Sequence, residues 1–176
     1  MARPPAIERV ALDSSVLLGA QSPRLIAAAA LHYYTGFWSS WIVAEFVRKR
    51  TEWIAERASR NGCNRAETRR RLRESRQRIN EFIRACGPVL RSVDYEDAPR
   101  ADLGWLRDSD DWPVMQTALA ASADVLVTDN AADFPLGEVR DGILMLGSTA
   151  FLRELFQRFP DAEASIRTFL QRAGPA

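Results

Sequence analysis

Residues 108–135 read DSDDWPVMQTALAASADVLVTDNAADFP, and their order decides the fold. An acidic run ends at Asp111, and Pro113 stands where the first turn of a helix accepts proline. Alanine, leucine and methionine then carry helical propensity to Ala123. The short apolar run Val125-Leu126-Val127-Thr128 has the make-up of a buried strand, and it ends at Asp129. Acid, helix, strand, acid is the pattern of an α/β unit. Groups that follow its strands converge at the carboxyl edge of a parallel sheet.

The pattern extends outward. Arg9-Val10-Ala11-Leu12 predicts a strand, and Asp13-Ser14-Ser15 a turn after it. Ser22-Pro23 predicts a helix start, with Thr35-Gly36 stopping that helix after about Tyr33. Phe37-Trp38-Ser39 is a candidate second strand, and Ser39 or Ser40 caps a helix from about Trp41 to Ser59. Glu45 lies one turn into it. A long helix follows from about Asn64 to Cys86, then a third strand at Val89–Val93. Residues 94–110 are polar and predict a loop with a short helical turn. A last strand is expected at Ile143–Leu146, a helix from Ser148 to about Arg158, and a final helix from about Asp161 to Gln171. The expected fold class is α/β, a parallel sheet of four to five strands flanked by helices. One domain over 1–176 is expected, with its core at about 9–148 and C-terminal helices at about 148–172.

Composition narrows the chemistry. Hydrophobic residues make up 47% of the chain, enough for a core without staples. Cys63 and Cys86 form no paired spacing, which argues against zinc and disulfides and for a reducing compartment. The start lacks the apolar stretch of a signal peptide, and no run approaches the roughly 20 residues of a membrane span. A cytoplasmic protein is expected, with no membrane partner. There is one histidine, His32, and one lysine, Lys49, and no phosphate-binding glycine loop or nucleophile elbow. Catalysis is left to carboxylates.

Asp13, Glu45, Asp111 and Asp129 are remote in sequence yet each adjoins an apolar run. Gathered at one sheet edge they would repel one another unless a cation sat among them. An all-oxygen donor set selects Mg²⁺ or Mn²⁺. Two such ions about 3.5–4 Å apart can activate water and neutralise a leaving oxygen in phosphodiester hydrolysis. Each acid also has a plainer reading: turn acid for Asp13 and Asp129, helix cap for Asp111. Glu45 is the hardest to explain away, because a lone glutamate among Val43, Ala44, Phe46 and Val47 is rare unless paired. Ser14, Ser40 and Thr128 are placed to bond a phosphate or a metal-bound water.

VALDSSVLL (10–18), SWIVAEFVRK (40–49) and the 108–135 stretch resemble, in order and spacing, the PIN-domain ribonucleases of toxin–antitoxin type. The resemblance covers about residues 9–148. It implies a three-layer α/β/α sandwich and a nuclease that uses Mg²⁺ or Mn²⁺ to cut RNA. It further implies an antitoxin protein as partner and a homodimer. Asp13, Glu45 and Asp111 match the three core acids. For the fourth, Asp129, Asn130 and Asp133 compete, with Asp129 ranked first for the metal and Asp133 second.

From Arg48 to Arg78, twelve Arg or Lys stand against four Glu, a net of +8 in a chain of net +1. This basic arm beside an acidic body suits RNA as a polyanionic partner, with Arg48, Arg69, Arg73 and Arg76 as candidate phosphate contacts. A solvated helix face, an acidic antitoxin peptide or a dimer surface are the competing readings of the arm. Trp112, beside Asp111, is a candidate for base stacking. The alternative function is a PIN-like module that binds RNA or a partner without cutting. A phosphatase with a second Asp two positions after the first is disfavoured, because Ser15 stands there.

Overall fold

The computed structural model describes residues 9–173. Six strands form one sheet: β1 Arg9–Leu12, β2 Thr35–Ser39, β3 Leu90–Val93, β4 Val125–Val127, β5 Val139–Arg140 and β6 Ile143–Leu146. Among the described residues seven helices surround it: α1 Ser14–Leu18, α2 Ser22–Ala30, α3 Ser40–Arg60, α4 Arg65–Cys86, α5 Trp112–Ala120, α6 Ser148–Arg158 and α7 Ala162–Ala173. The sheet order is β3-β2-β1-β4-β6-β5, parallel except for β5 against β6. This is the expected α/β class, arranged as a three-layer sandwich.

Alternation along the strands builds the layers. Val10, Leu12, Val125 and Val127 face one core with Val16, Leu25, Ile42, Phe46, Phe151 and Ile166. Ala11, Leu126, Phe37 and Met145 face a second core, filled by Val114, Met115 and Ala118 of α5 with Leu103, Leu106 and Phe134. Strands buried on both faces explain why their sequences are continuously apolar rather than alternating. Gly36 lets β2 lie close to β3: a Cβ there would lie 2.5 Å from Leu90 Cδ2, so the leucine would have to shift.

Three details depart from expectation. The sheet has six strands because Val139–Arg140 adds a two-residue antiparallel edge, too short to carry a sequence signal. The segment after β1 is a one-turn helix, α1, rather than a plain turn. Finally, α5 begins at Trp112, with Asp111 as its N-cap, and ends at Ala120. No helix among the described residues is long and apolar enough to cross a membrane.

This topology fixes where functional groups meet. From β1 the chain proceeds outward through β2 to β3, then returns to lay β4 on the other side of β1. The reversal opens a crevice at the carboxyl ends of β1 and β4, the usual ligand position in such sheets. Leu12 pairs with Val127, so Asp13 and Thr128 emerge side by side.

Candidate active site

Asp13 leaves β1 in extended conformation and is 3% exposed, a degree of burial that a carboxylate tolerates only when it is bonded. Its Oδ2 accepts from Ser15 Oγ at 2.5 Å and from Thr128 Oγ1 at 2.8 Å. The same two hydroxyls accept in turn from the backbone: Asp129 N–H donates to Ser15 Oγ and Asn130 N–H to Thr128 Oγ1. A small hydroxyl network thus locks the β1 end to the β4 end.

Glu45 projects from the second turn of α3. The helix start is set by Ser39, whose Oγ accepts from Ile42 N–H and is bonded to Thr117 of α5 at 2.7 Å. Ser39, not Ser40, is therefore the cap, and it also ties α3 to α5, whose N-cap position Asp111 occupies. Glu45 Oε2 accepts from Ser14 Oγ at 2.7 Å. Its Oε1 faces Lys49 Nζ at 3.0 Å and Arg48 Nη2 at 3.7 Å.

Asp111 occupies the N-cap position of α5, yet its side chain makes no capping bond. It faces Asn130, whose Nδ2 lies 3.3–3.4 Å from the two carboxylate oxygens. Burial, then the like charges of Asp133, Asp13, Asp108 and Glu45, push the Asp111 carboxyl from the ordinary 3.8 up to about 7. Burial is the larger cause, and the like charges of the four neighbouring acids add to it.

The remaining candidates divide clearly. Asp129 turns towards α6: its Oδ1 accepts from Ser148 N–H at 2.8 Å and its Oδ2 from Ser148 Oγ at 2.9 Å. It acts as an external cap on that helix. Asp133 makes no side-chain hydrogen bond among the described residues and contributes to the field at Asp111. Ser40 is exposed at the first residue of α3. Arg48 Nη1 donates to both Glu52 carboxylate oxygens, at 3.0–3.1 Å. Arg69, Arg73 and Arg76 are exposed on α4 and form no ion pair among the described residues. Trp112 is 41% exposed beside Asp111.

Three further residues of the site, Ser15, Lys49 and Ser148, are not singled out by the sequence. Lys49 carries a usable signal, because it lies four residues after Glu45 on one helix face. Ser15 and Ser148 carry none, since their roles depend on contacts across the fold.

The residues fit a hard divalent cation in kind. The donors are carboxylates with one carboxamide, and a cation would relieve the repulsion felt by Asp111. Their positions fit it less well. Among the described residues no three His, Cys, Asp or Glu side chains lie close enough together to hold an ion. The sequence leads one to expect acids crowded around one centre. The structure brings Asp13, Glu45, Asp111 and Asp133 into one field, not into one coordination sphere. Both Glu45 oxygens, and Asp13 Oδ2, are taken by Ser14, Lys49, Ser15 and Thr128. Holding an ion there requires some of these partners to be exchanged.

Comparison of the chain with protein-family models, with curated proteins and with solved structures gives no match.

Proposed function

We propose that the chain is a metal-dependent endoribonuclease of PIN type, the toxin of a toxin–antitoxin pair, working in the cytoplasm. The single observation that carries this reading is the run of contacts that ties Asp111 through Asn130 and Thr128 to Asp13, and Glu45 to Ser14 beside it, at a sheet switch point. The motif resemblance supports it, as do Arg69, Arg73 and Arg76 of α4, which form no ion pair among the described residues. Asp13, Glu45 and Asp111, with Asp133 or Asp129, are the residues that would hold Mg²⁺ or Mn²⁺. The bound cation would supply a nucleophilic water at neutral pH and charge relief at the phosphate.

The chain's own residues have distinct tasks in this reading. Ser15 and Thr128 orient Asp13, Ser14 orients Glu45, and Asn130 orients Asp111. Arg69, Arg73 and Arg76 attract the RNA backbone as guanidinium forks. An antitoxin protein and a second copy of the chain complete the proposed set of partners.

Cleavage of a labelled RNA pool with Mn²⁺, and its loss with chelator or on Asp13→Asn, tests the reading. Asp13→Asn cutting as fast as wild type would sink it. Two observations favour a second reading, an RNA- or partner-binding module that does not cut: Lys49 already pairs with Glu45, and among the described residues no three acids lie within reach of one ion. RNA binding with no measurable Mn²⁺ affinity would favour that module.

A further inference from the structure

Residues 61–64 join α3 to α4, and the two helices run antiparallel, with the Phe46 and Phe82 rings 5.0 Å apart between centroids. Counted back from that contact, Arg50 faces Arg78, four residues along on each helix, and Arg57 faces Arg71, eleven residues along on each. All six residues line one cavity of about 760 Å³, whose apolar wall includes Leu17, Leu18 and Ile79. Its charge is one-sided. Arg50, Arg57 and Arg78 form no ion pair among the described residues, and the guanidiniums of Arg50 and Arg57 lie over the Trp53 ring at 5.2 and 5.1 Å. The two acids of the lining are engaged elsewhere: Glu74 pairs with Arg70 at 2.9 Å, and Glu81 accepts from Gln77 at 2.9 Å. The start of α2 reaches the same cavity through Ser22 and Pro23. That helix has no side-chain cap, and Ser22, only 5% exposed, has a hydroxyl without a hydrogen-bond partner among the described residues.

We infer that this cavity binds a small amphiphilic anion, with its apolar body against Phe46, Ile79 and Phe82 and its oxyanion group, a phosphate, carboxylate or sulfonate, between Arg50 and Arg78. Guanidiniums that face one another across a cavity repel, and an anion between them removes that repulsion. Their planar forks match oxyanions in particular. The uncapped start of α2 adds partial positive charge to the same space. The volume is that of a small-molecule site, mostly apolar with a few polar groups that orient the ligand. A second copy of the chain is a poor occupant, because it would bring the same arginines against these. Neither Asp13 nor Asp111 lines this cavity, so the inference stands apart from the metal-dependent reading.

Titration of anilinonaphthalene sulfonate into the full chain tests this, followed by fluorescence and by the indole N–H signals in ¹⁵N NMR, with Trp53 assigned through Trp53→Phe. N-phenylnaphthylamine, the same body without the sulfonate, is the control. One saturable site should appear, and the Trp53 signal should move. The sulfonate should bind about tenfold tighter than the amine, the worth of a charge-assisted bond. Arg50 and Arg78 are exposed, so Arg50→Gln with Arg78→Gln should fold and should weaken sulfonate binding about tenfold. Arg73→Gln with Arg76→Gln, which do not line the cavity, should leave it within about twofold. Octyl phosphate should displace the probe. Equal affinity for the two probes, a sulfonate affinity that Arg50→Gln with Arg78→Gln leaves unchanged, or a Trp53 signal that stays still overturns the inference. Displacement by an acidic helical peptide but not by octyl phosphate assigns the cavity to a protein partner and overturns it as well.

Discussion

Thr128 Oγ1 donates to Asp13 Oδ2 at 2.8 Å across 115 residues of chain, and this bond ties the residue after β1 to the residue after β4. The threonine is fully buried and its oxygen also accepts from Asn130 N–H, so one hydroxyl serves two loops.

Thr128→Val keeps the shape and removes the donor. It should destabilise the protein by about 1–2 kcal/mol, from one missing bond to a charged group and one unsatisfied amide. Thr128→Ser should recover most of that stability. Urea denaturation of the three proteins checks this.

Asp111 sets a pH dependence. Its folded carboxyl titrates near 7 against an ordinary 3.8, so the folded state binds this proton more tightly than the unfolded state does. Its contribution is fully present below about pH 4 and is lost as pH rises through 7. Asp111→Asn, which carries no charge, should therefore gain on wild type across that window in chelator-treated buffer. The gain should level off above pH 8 at about 1–2 kcal/mol, because solvent screens a half-buried group. Thermal melts from pH 4 to 9 check it; a difference independent of pH would refute the upward shift of the Asp111 carboxyl by burial and like charges.

Asp129 and Asp133 should part company. Asp129→Ala removes the acceptor of two bonds from Ser148 and should cost about 1–2 kcal/mol of stability. Asp133→Ala should leave stability within about 0.5 kcal/mol and lower the Asp111 carboxyl, because its strongest like-charge neighbour is gone. Denaturation together with carboxyl titration by NMR separates the two roles.

The arginine stripe predicts a salt signature. In an Asp13→Asn background, Arg73→Gln with Arg76→Gln should weaken single-stranded RNA binding. It should also reduce the log–log salt slope by about 0.7 for each phosphate that the variant no longer neutralises. Arg48→Gln should matter less, since Glu52 already holds that guanidinium. Filter binding from low to moderate salt measures both.

Much of this molecule is legible in one dimension because its strands are buried on two faces. Continuous apolar runs such as Val125–Val127 admit few alternatives, and proline and serine at helix starts punctuate them. The acids stand out because polar groups interrupt those runs at their carboxyl ends. Which acid does what is hidden, because that depends on contacts between segments distant in sequence. Asp129 adjoins a strand as Asp13 does, yet its carboxylate turns to Ser148, and nothing in TDNAADFP foretells this.

Residue order alone dictates the alternation of strand and helix, the placing of acids after strands, and the basic character of α4, since propensity, burial and charge are carried by local residue types. Only folding brings Ser14 to Glu45, lays Thr128 against Asp13, and sets like charges from distant segments around Asp111. A carboxylate's partner and its proton affinity depend on distances of a few ångströms, and those distances exist only once the chain has closed on itself.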